Sequence, residues 1–202
     1  MKKTKIGIFG GSFSPPHAGH RRAAEAFRSH LELDKLLVVP AFLPPHKTLC
    51  AEASVKDRLA MCNIAFGDID NCEISDVEIE RGGRSYTYLT LQELARDDAE
   101  LYMLIGTDMM LTLDRWKNPD IIFSLATVCY VRRESDGTVG EALSAKAEEY
   151  RRRFGARIVE IPSDALEISS TELREMITSG KSVSSLLDAR VYNYIKERGL
   201  YS

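Results

Sequence analysis

With 202 residues, of which 44% are hydrophobic and 28% charged, the chain has the size and composition of one globular domain with a sizeable core. A net charge of −3 excludes a general electrostatic pull toward nucleic acid or an anionic membrane, so an anionic ligand must be met by a local cluster of donors. The N-terminal apolar run is too short for a signal peptide, and no stretch approaches the ~18 apolar residues of a membrane span. Four cysteines (Cys50, Cys62, Cys72 and Cys129) include no CxxC pair, and two fall inside apolar runs. They read as reduced thiols, mostly core filler, in a cytoplasmic protein.

The chain alternates short apolar runs with amphipathic stretches. Lys5–Phe9 reads as a buried strand, followed by a Gly/Pro-rich turn and a helix over Ala18–His30. Lys35–Val39 is a second strand, closed by Pro40. Ser54, with Asp57 three residues on, forms an approximate capping box for a helix over Val55–Phe66. Glu73–Ile79 alternates as a half-exposed strand would, and Thr87–Ala95 is helical. Leu101–Ile105 is a buried strand, and Asn118-Pro119 is an N-cap and N1 pair opening a helix to Phe123. Thr127–Val131 is a strand, and Thr138 with Glu141 caps a long helix to about Phe154. Arg157–Ile161 is the last strand, Ser169 with Glu172 caps a helix through Thr178, and Leu187–Arg198 is a final helix stopped by Gly199.

This alternation predicts an α/β fold: a Rossmann-like, doubly wound, mostly parallel sheet with helices on both faces and a C-terminal helical segment. The whole of residues 1–202 is expected to be one domain, with 168–202 as its C-terminal helical part. In open sheets of this type ligands sit at the carboxyl ends of the strands. That rule directs attention to the loops after Phe9, Val39, Ile105 and Ile161.

The first of these runs Gly10-Gly11-Ser12-Phe13-Ser14-Pro15-Pro16-His17-Ala18-Gly19-His20. Paired glycines let the backbone approach a ligand closely. His17 and His20 are spaced i, i+3, so a helix beginning near Pro16 or His17 places both imidazoles on one face at its N-terminus, where unpaired N–H groups favour an anion. Zinc ligation is a second reading, but zinc needs three or four protein ligands and the cysteines are not spaced to complete the set. Plain capping or core packing is the third. The segment reads GxSxS and not the GxSxG of a nucleophile elbow. No GxGxxG follows the first strand, and Gly180-Lys181-Ser182 lacks the leading glycine of a Walker A loop. It reads as a helix C-cap and loop.

The later loops are also unusual. Lys47 follows the stiff Pro40–Pro45 stretch and could reach toward phosphates, or be simply solvated. Gly106-Thr107-Asp108 ends a strand with a carboxylate that could hold ribose hydroxyls or cap a helix over Met109–Leu113. Trp116, the sole tryptophan, could stack on a flat ligand or pack in the core. Ile168-Ser169-Ser170-Thr171-Glu172-Leu173-Arg174 opens a helix with hydroxyls and sets an arginine in its first turn, where the dipole disfavours it unless an anion binds.

Together these segments resemble the nucleotidyltransferase superfamily marked by an HxGH motif, here His17-Ala18-Gly19-His20. ISSTELR at Ile168–Arg174 matches the second motif of its adenylyltransferase branch. Within that branch GGSFSPPHAGH, VVPAFLPPHK, SYTYLTLQEL, IGTDMMLTLDRW, VCYVRR and ISSTELR fall in the order seen in bacterial nicotinate-nucleotide adenylyltransferases. The likeness runs from about Lys5 to Tyr201.

The resemblance implies the reaction ATP + nicotinate mononucleotide → deamido-NAD + pyrophosphate, with Mg²⁺ as the cofactor accompanying ATP and no metal held by the protein alone. It implies His17, His20, Lys47 and Arg174 as catalytic residues. Gly11, Ser12, Phe13, Gly19, Asp108, Arg133, Ser169 and Ser170 would bind ATP. Tyr86, Thr87 and Trp116 would frame the pyridine ring, with backbone N–H groups near Thr87 taking its carboxylate. The partners implied are these two nucleotides, without nucleic acid or membrane, and a homo-oligomer is compatible. The chain departs from the family pattern at Ser14, where aspartate is usual. Nicotinamide mononucleotide or another phosphorylated acceptor is the competing substrate reading.

Overall fold

The computed structural model describes residues 2–45, 53–131, 137–163, 166 and 168–201, with the backbone alone at 137 and 138. In chain order the elements are β1 (Thr4–Gly11), α1 (Ala18–Leu31), β2 (Lys35–Pro40), α2 (Val55–Phe66), β3 (Cys72–Ile74), α3 (Val77–Arg81), α4 (Thr87–Leu94), β4 (Ala99–Gly106) and α5 (Thr107–Thr112). A 3-10 turn at Leu113–Arg115 leads to α6 (Pro119–Leu125), β5 (Ala126–Val131), α7 (Gly137–Phe154), β6 (Ile158–Ile161), α8 (Ser170–Thr178) and α9 (Ala189–Arg198). The six strands form one sheet in the order β3-β2-β1-β4-β5-β6, and every pairing is parallel. This is the doubly wound Rossmann-like arrangement expected from the alternation of elements.

Parallel strands covered on both faces must be apolar on both, and the period of two divides their side chains between two cores. Phe9, Leu36, Val38, Leu104 and Cys129 join one cluster with Phe27 of α1, Phe66 of α2, Leu173 of α8 and Ile195 of α9. Ile6, Ile8, Leu37, Val39, Met103 and Ile105 join the other, with Leu91 of α4, Phe123 of α6 and Tyr150 of α7. β1 sits at the centre, paired with β2 on one side and β4 on the other. The chain winds in opposite directions from this point, so loops diverge there and leave a crevice above the carboxyl ends of β1 and β4.

Several local expectations need correction. Glu73–Ile79 is not one strand: β3 stops at Ile74, and α3 begins at Val77. Its alternation also fits a helical turn, in which Ile79 and Glu80 N–H groups both bond the Asp76 carbonyl. A short strand at a sheet edge exposes fewer unpaired backbone groups. Asp108 does not cap a helix, because Gly106 is the N-cap of α5 and Asp108 lies in its first turn, where a carboxylate favours the dipole. Asn118 occupies the N-cap of α6 in a left-handed conformation, and its side chain makes no capping bond. Thr138 is not a cap either, since α7 is under way at Gly137. The final helix starts at Ala189, with Asp188 receiving the Arg190 N–H at 2.7 Å.

Candidate active site

The crevice is a cavity of about 630 Å³, within the range of nucleotide-sized ligand pockets. It is lined by the loops after β1, β2 and β4 and by the start of α8. Of the residues predicted from sequence, Gly11, Ser12, Phe13, His17, His20, Tyr86, Thr87, Asp108, Trp116, Ser169, Ser170 and Arg174 all border it. Lys47 and Arg133 lie outside the described residues.

The two histidines form a reciprocal cap. His17 is the N-cap of α1; its Nδ1 accepts the His20 N–H, and the His20 Nδ1 accepts the His17 N–H, both at 3.3 Å. The rings stack with centroids 3.6 Å apart. An Nδ1 that accepts a hydrogen bond carries no proton, so each neutral imidazole holds its proton on Nε2. The pair therefore satisfies orphan N–H groups of the helix and places both rings at its positive end. Of the separate readings of the sequence, the structure shows capping, in an arrangement compatible with anion binding.

Three residues of the first loop act differently from a simple contact with ligand. The Phe13 side chain is enclosed, packing edge-on against Phe9, His20 and Phe66, so only its backbone can meet a ligand. A Cβ at Gly11 would lie 2.9 Å from the Phe13 ring, so glycine there makes room for that ring. Gly19 is buried and lies off the cavity wall; a Cβ there would come 3.1 Å from His17 Nδ1 and 3.2 Å from the Leu166 carbonyl. Its absence of a side chain lets the imidazole pack down onto the helix.

Helix α8 clasps the same loop from the other side. Ser169 and Glu172 form the expected capping box, which also holds the Glu172 carboxyl below its ordinary range. Ser170 Oγ donates to the Pro15 carbonyl at 2.9 Å, and Arg174 Nη1 donates to the Ser14 carbonyl at 2.8 Å. Arg174 sits in the second turn of α8 and not the first. Ser14, at the position where aspartate was expected, is buried, and its hydroxyl meets the Tyr201 hydroxyl at 2.9 Å. The C-terminal residues thus reach the loop that follows the first strand.

The opposite wall is more open. Thr87 opens α4, so the first-turn N–H groups of that helix stand at the cavity wall. Ser85 accepts the Phe42 N–H at 2.9 Å and the Leu43 N–H at 3.3 Å, tying this wall to the loop after β2. Trp116 is half-buried against the second core and also borders the cavity. The Lys117 ammonium lies 4.8 Å from the Tyr86 ring centroid, a cation–π distance.

Sequence reasoning missed Arg58, Glu78, Ser85 and Lys117. Glu78 is buried on the cavity wall and accepts the Thr90 hydroxyl at 2.6 Å, with Arg81 3.9 Å away. Arg58 carried a legible signal: it shares the helical face of Met61, Cys62 and Ala65, so a charge interrupts an apolar stripe. Among the described residues, no group of three or more His, Cys, Asp or Glu could hold a metal ion, and no helix is long and apolar enough to cross a membrane.

A parallel doubly wound sheet with a doubly capped helix start, a second clasping helix and a nucleotide-sized cavity at the switch point is the arrangement of the nucleotide-binding α/β folds. Comparison with known proteins gives the family. The cytidylyltransferase-like family matches residues 8–176. The chain is 37% identical over 216 residues to the "Probable nicotinate-nucleotide adenylyltransferase" of Desulfatibacillum aliphaticivorans, covering 98% of this chain and 99% of that one. It is 36% identical to the protein of the same name from Listeria monocytogenes serotype 4b, covering 98% of each. Plasmodium falciparum nicotinic acid mononucleotide adenylyltransferase, solved with NaAD, shares the fold at a TM-score of 0.76 and 19% identity, over 98% of this chain and 97% of that one. The chain belongs to the cytidylyltransferase-like family and, within it, to the nicotinate-nucleotide adenylyltransferases.

Proposed function

We infer that this chain transfers AMP from ATP to nicotinate mononucleotide, giving deamido-NAD and pyrophosphate. The observation that carries the reading is end-to-end similarity to relatives of that name, with the expected motifs gathered around one cavity. In this reading ATP occupies the half of the cavity between the first loop and α8. Nicotinate mononucleotide occupies the half walled by Tyr86, Thr87 and Trp116.

The chemistry asks little of general acids or bases. The acceptor phosphate is already ionised at neutral pH. One of its oxygens bonds to the α-phosphorus of ATP as the bond from that phosphorus to the α,β-bridging oxygen breaks, and the electron pair leaves with pyrophosphate. Catalysis then rests on alignment and on stabilising charge in the transition state. The Nε2–H groups of His17 and His20 would donate to phosphate oxygens, and Arg174 would exchange its bond to the Ser14 carbonyl for an oxygen of the β- or γ-phosphate. Ser170 and the α8 N-terminus would add N–H and O–H donors. Asp108 would hold a ribose hydroxyl. Lys47 and Arg133 belong to the reading through the family likeness alone.

Among the described residues, the carboxylates bordering the cavity are Glu78 and Asp108, and Glu78 is engaged by Thr90. That set fits a divalent cation carried on the ATP phosphates and water better than one caged by protein. Mg²⁺ so bound would neutralise charge on the departing pyrophosphate.

The test is pyrophosphate release by the purified protein from Mg-ATP, with nicotinate or nicotinamide mononucleotide as acceptor. A strong preference for the acid is expected. Preference for the amide would move the assignment to the competing acceptor, and activity with neither would overturn the substrate.

A further inference from the structure

The turn Ser12–Phe13–Ser14 is gripped from below by a cation that the reaction does not touch. The Arg58 side chain is wholly enclosed, with 0% exposure, and does not border the cavity. Its Nη1 donates to the Ser12 carbonyl at 2.9 Å and its Nη2 approaches the Phe42 carbonyl at 3.5 Å. The Nε is buried without an acceptor, and no carboxylate forms an ion pair with Arg58 among the described residues. A buried charge answered by carbonyl dipoles, with the Glu78 carboxylate acting on it only at longer range, is expensive, and an apolar side chain of similar volume would often serve the fold as well. The two carbonyls it holds belong to the loops after β1 and β2, both of which reach the cavity.

Peptide geometry gives this grip a consequence. The Ser12–Phe13 peptide is trans, so its N–H points opposite its carbonyl. Drawing the Ser12 oxygen down toward Arg58 turns that oxygen away from the cavity and the Phe13 N–H toward it. Phe13 itself is held at φ 47°, a left-handed conformation that a bulky residue adopts only where its surroundings impose it. Turns of this kind present N–H groups inward and bind anions. Without the guanidinium, the Ser12 carbonyl would be free to rotate and meet a phosphate oxygen with its own negative end.

We propose that Arg58 is a positioning residue for the ATP phosphates: it fixes the Ser12 carbonyl away from the cavity and sets a buried positive charge beneath the phosphate-binding turn. Within the fold the cation is answered at longer range by Glu78 without a direct ion pair, and it is balanced further when the polyanion binds. The inference rests on the reading that ATP occupies the cavity. It concerns the ATP half first, because the firm bond is to Ser12 at 2.9 Å, whereas the link toward Ser85 and the acceptor wall runs only through the 3.5 Å approach to the Phe42 carbonyl.

The experiment compares wild type, Arg58→Met and Arg58→Lys by calorimetric titration with Mg-ATP, with the KM for nicotinate mononucleotide and the melting temperature measured in parallel. Arg58→Met is expected to weaken Mg-ATP binding by about tenfold or more, as loss of a charged donor does, with the acceptor KM changed by less than about twofold. Arg58→Lys keeps the charge and one donor, and should restore part of the loss. A folded Arg58→Met protein that binds Mg-ATP within about twofold of wild type would overturn the proposal, as would equal weakening of both substrates alongside a lowered melting temperature. If Arg58→Met does not fold, Arg58→Lys decides by the same split between the two substrates. Failure of the wild type itself to bind Mg-ATP would remove the ATP reading and this inference with it; normal wild-type binding with unchanged variants removes only the inference.

Discussion

The two walls of the cavity are built by opposite means. The wall formed by the first loop consists of enclosed groups: Phe13, Ser14, His17 and the underlying Arg58 are all buried, with the Ser14 hydroxyl on Tyr201, the His17 ring on the His20 N–H and the Arg58 Nη1 on the Ser12 carbonyl. The facing wall consists of half-open side chains, Tyr86, Thr87, Trp116 and the exposed Lys117, standing on the starts of short elements. Triphosphate chemistry needs donors fixed at the reacting phosphorus, and rigidity is supplied by packing. Choosing between acid and amide needs only a difference in charge at the pyridine, which an open wall can supply. Changes to the first wall should therefore alter rate, whereas changes to the second should alter acceptor choice.

The largest expected effect tests the first wall. His20→Ala removes an Nε2–H donor, and turnover should fall by ~10²-fold or more in a protein that still melts cooperatively, followed by pyrophosphate release. Near-normal turnover would show that the imidazole stack is a cap and nothing more. On the second wall, Trp116→Ala should raise the KM for nicotinate mononucleotide by roughly tenfold, with the KM for ATP nearly unchanged. An equal rise for ATP would erase the division between walls. Lys117→Met should reduce the preference for nicotinate over nicotinamide mononucleotide by ~3-fold, the scale of one exposed charge, read from the ratio of kcat/KM values.

Two further effects are smaller and concern the scaffold. Asp57 closes the capping box of α2 by accepting the Ser54 N–H; the Ser54 hydroxyl, with help from Tyr194, holds its carboxyl below the ordinary range against the opposing effect of burial. A lowered carboxyl pKa adds stability above the unfolded value and loses it as pH falls through the folded one. Asp57→Asn should thus cost about 1–2 kcal/mol of unfolding free energy at neutral pH, and the difference should shrink below about pH 4, as read by denaturant titration. Cys62 and Cys129 are buried; desolvation pushes the Cys129 thiol up to about 12 and the Cys62 thiol higher still. Neither should be alkylated by iodoacetamide in the folded protein at pH 8, as peptide mass analysis would show.

What the sequence made legible follows from how local each feature is. The capping boxes at Ser54/Asp57 and Ser169/Glu172 span three residues, and both arms of each are present in the structure. The parallel, doubly wound sheet followed from alternation, and the cavity from the position of unusual loops at strand ends. Glu73–Ile79 misled because its spacing satisfies a strand and a helical turn alike, and the edge of the sheet decides between them. The meeting of Ser14 with Tyr201 joins residues 187 apart, and the grip of Arg58 on Ser12 spans 46. No local pattern encodes such distances; they exist only once α2, α8 and α9 have packed on the same face of the sheet as α1. The histidine pair was visible as a motif, but its mutual capping was not, because that depends on where α1 begins.

The most direct test of the account follows the α-phosphate. ATP labelled at that position is incubated with Mg²⁺, the protein and nicotinate mononucleotide, and the products are separated. One-step transfer between two ligands held in one cavity predicts that the label enters deamido-NAD, at the rate of pyrophosphate release, and only when the acceptor is present. Label released as free AMP, or retained on the protein without acceptor, would contradict direct attack by the acceptor phosphate.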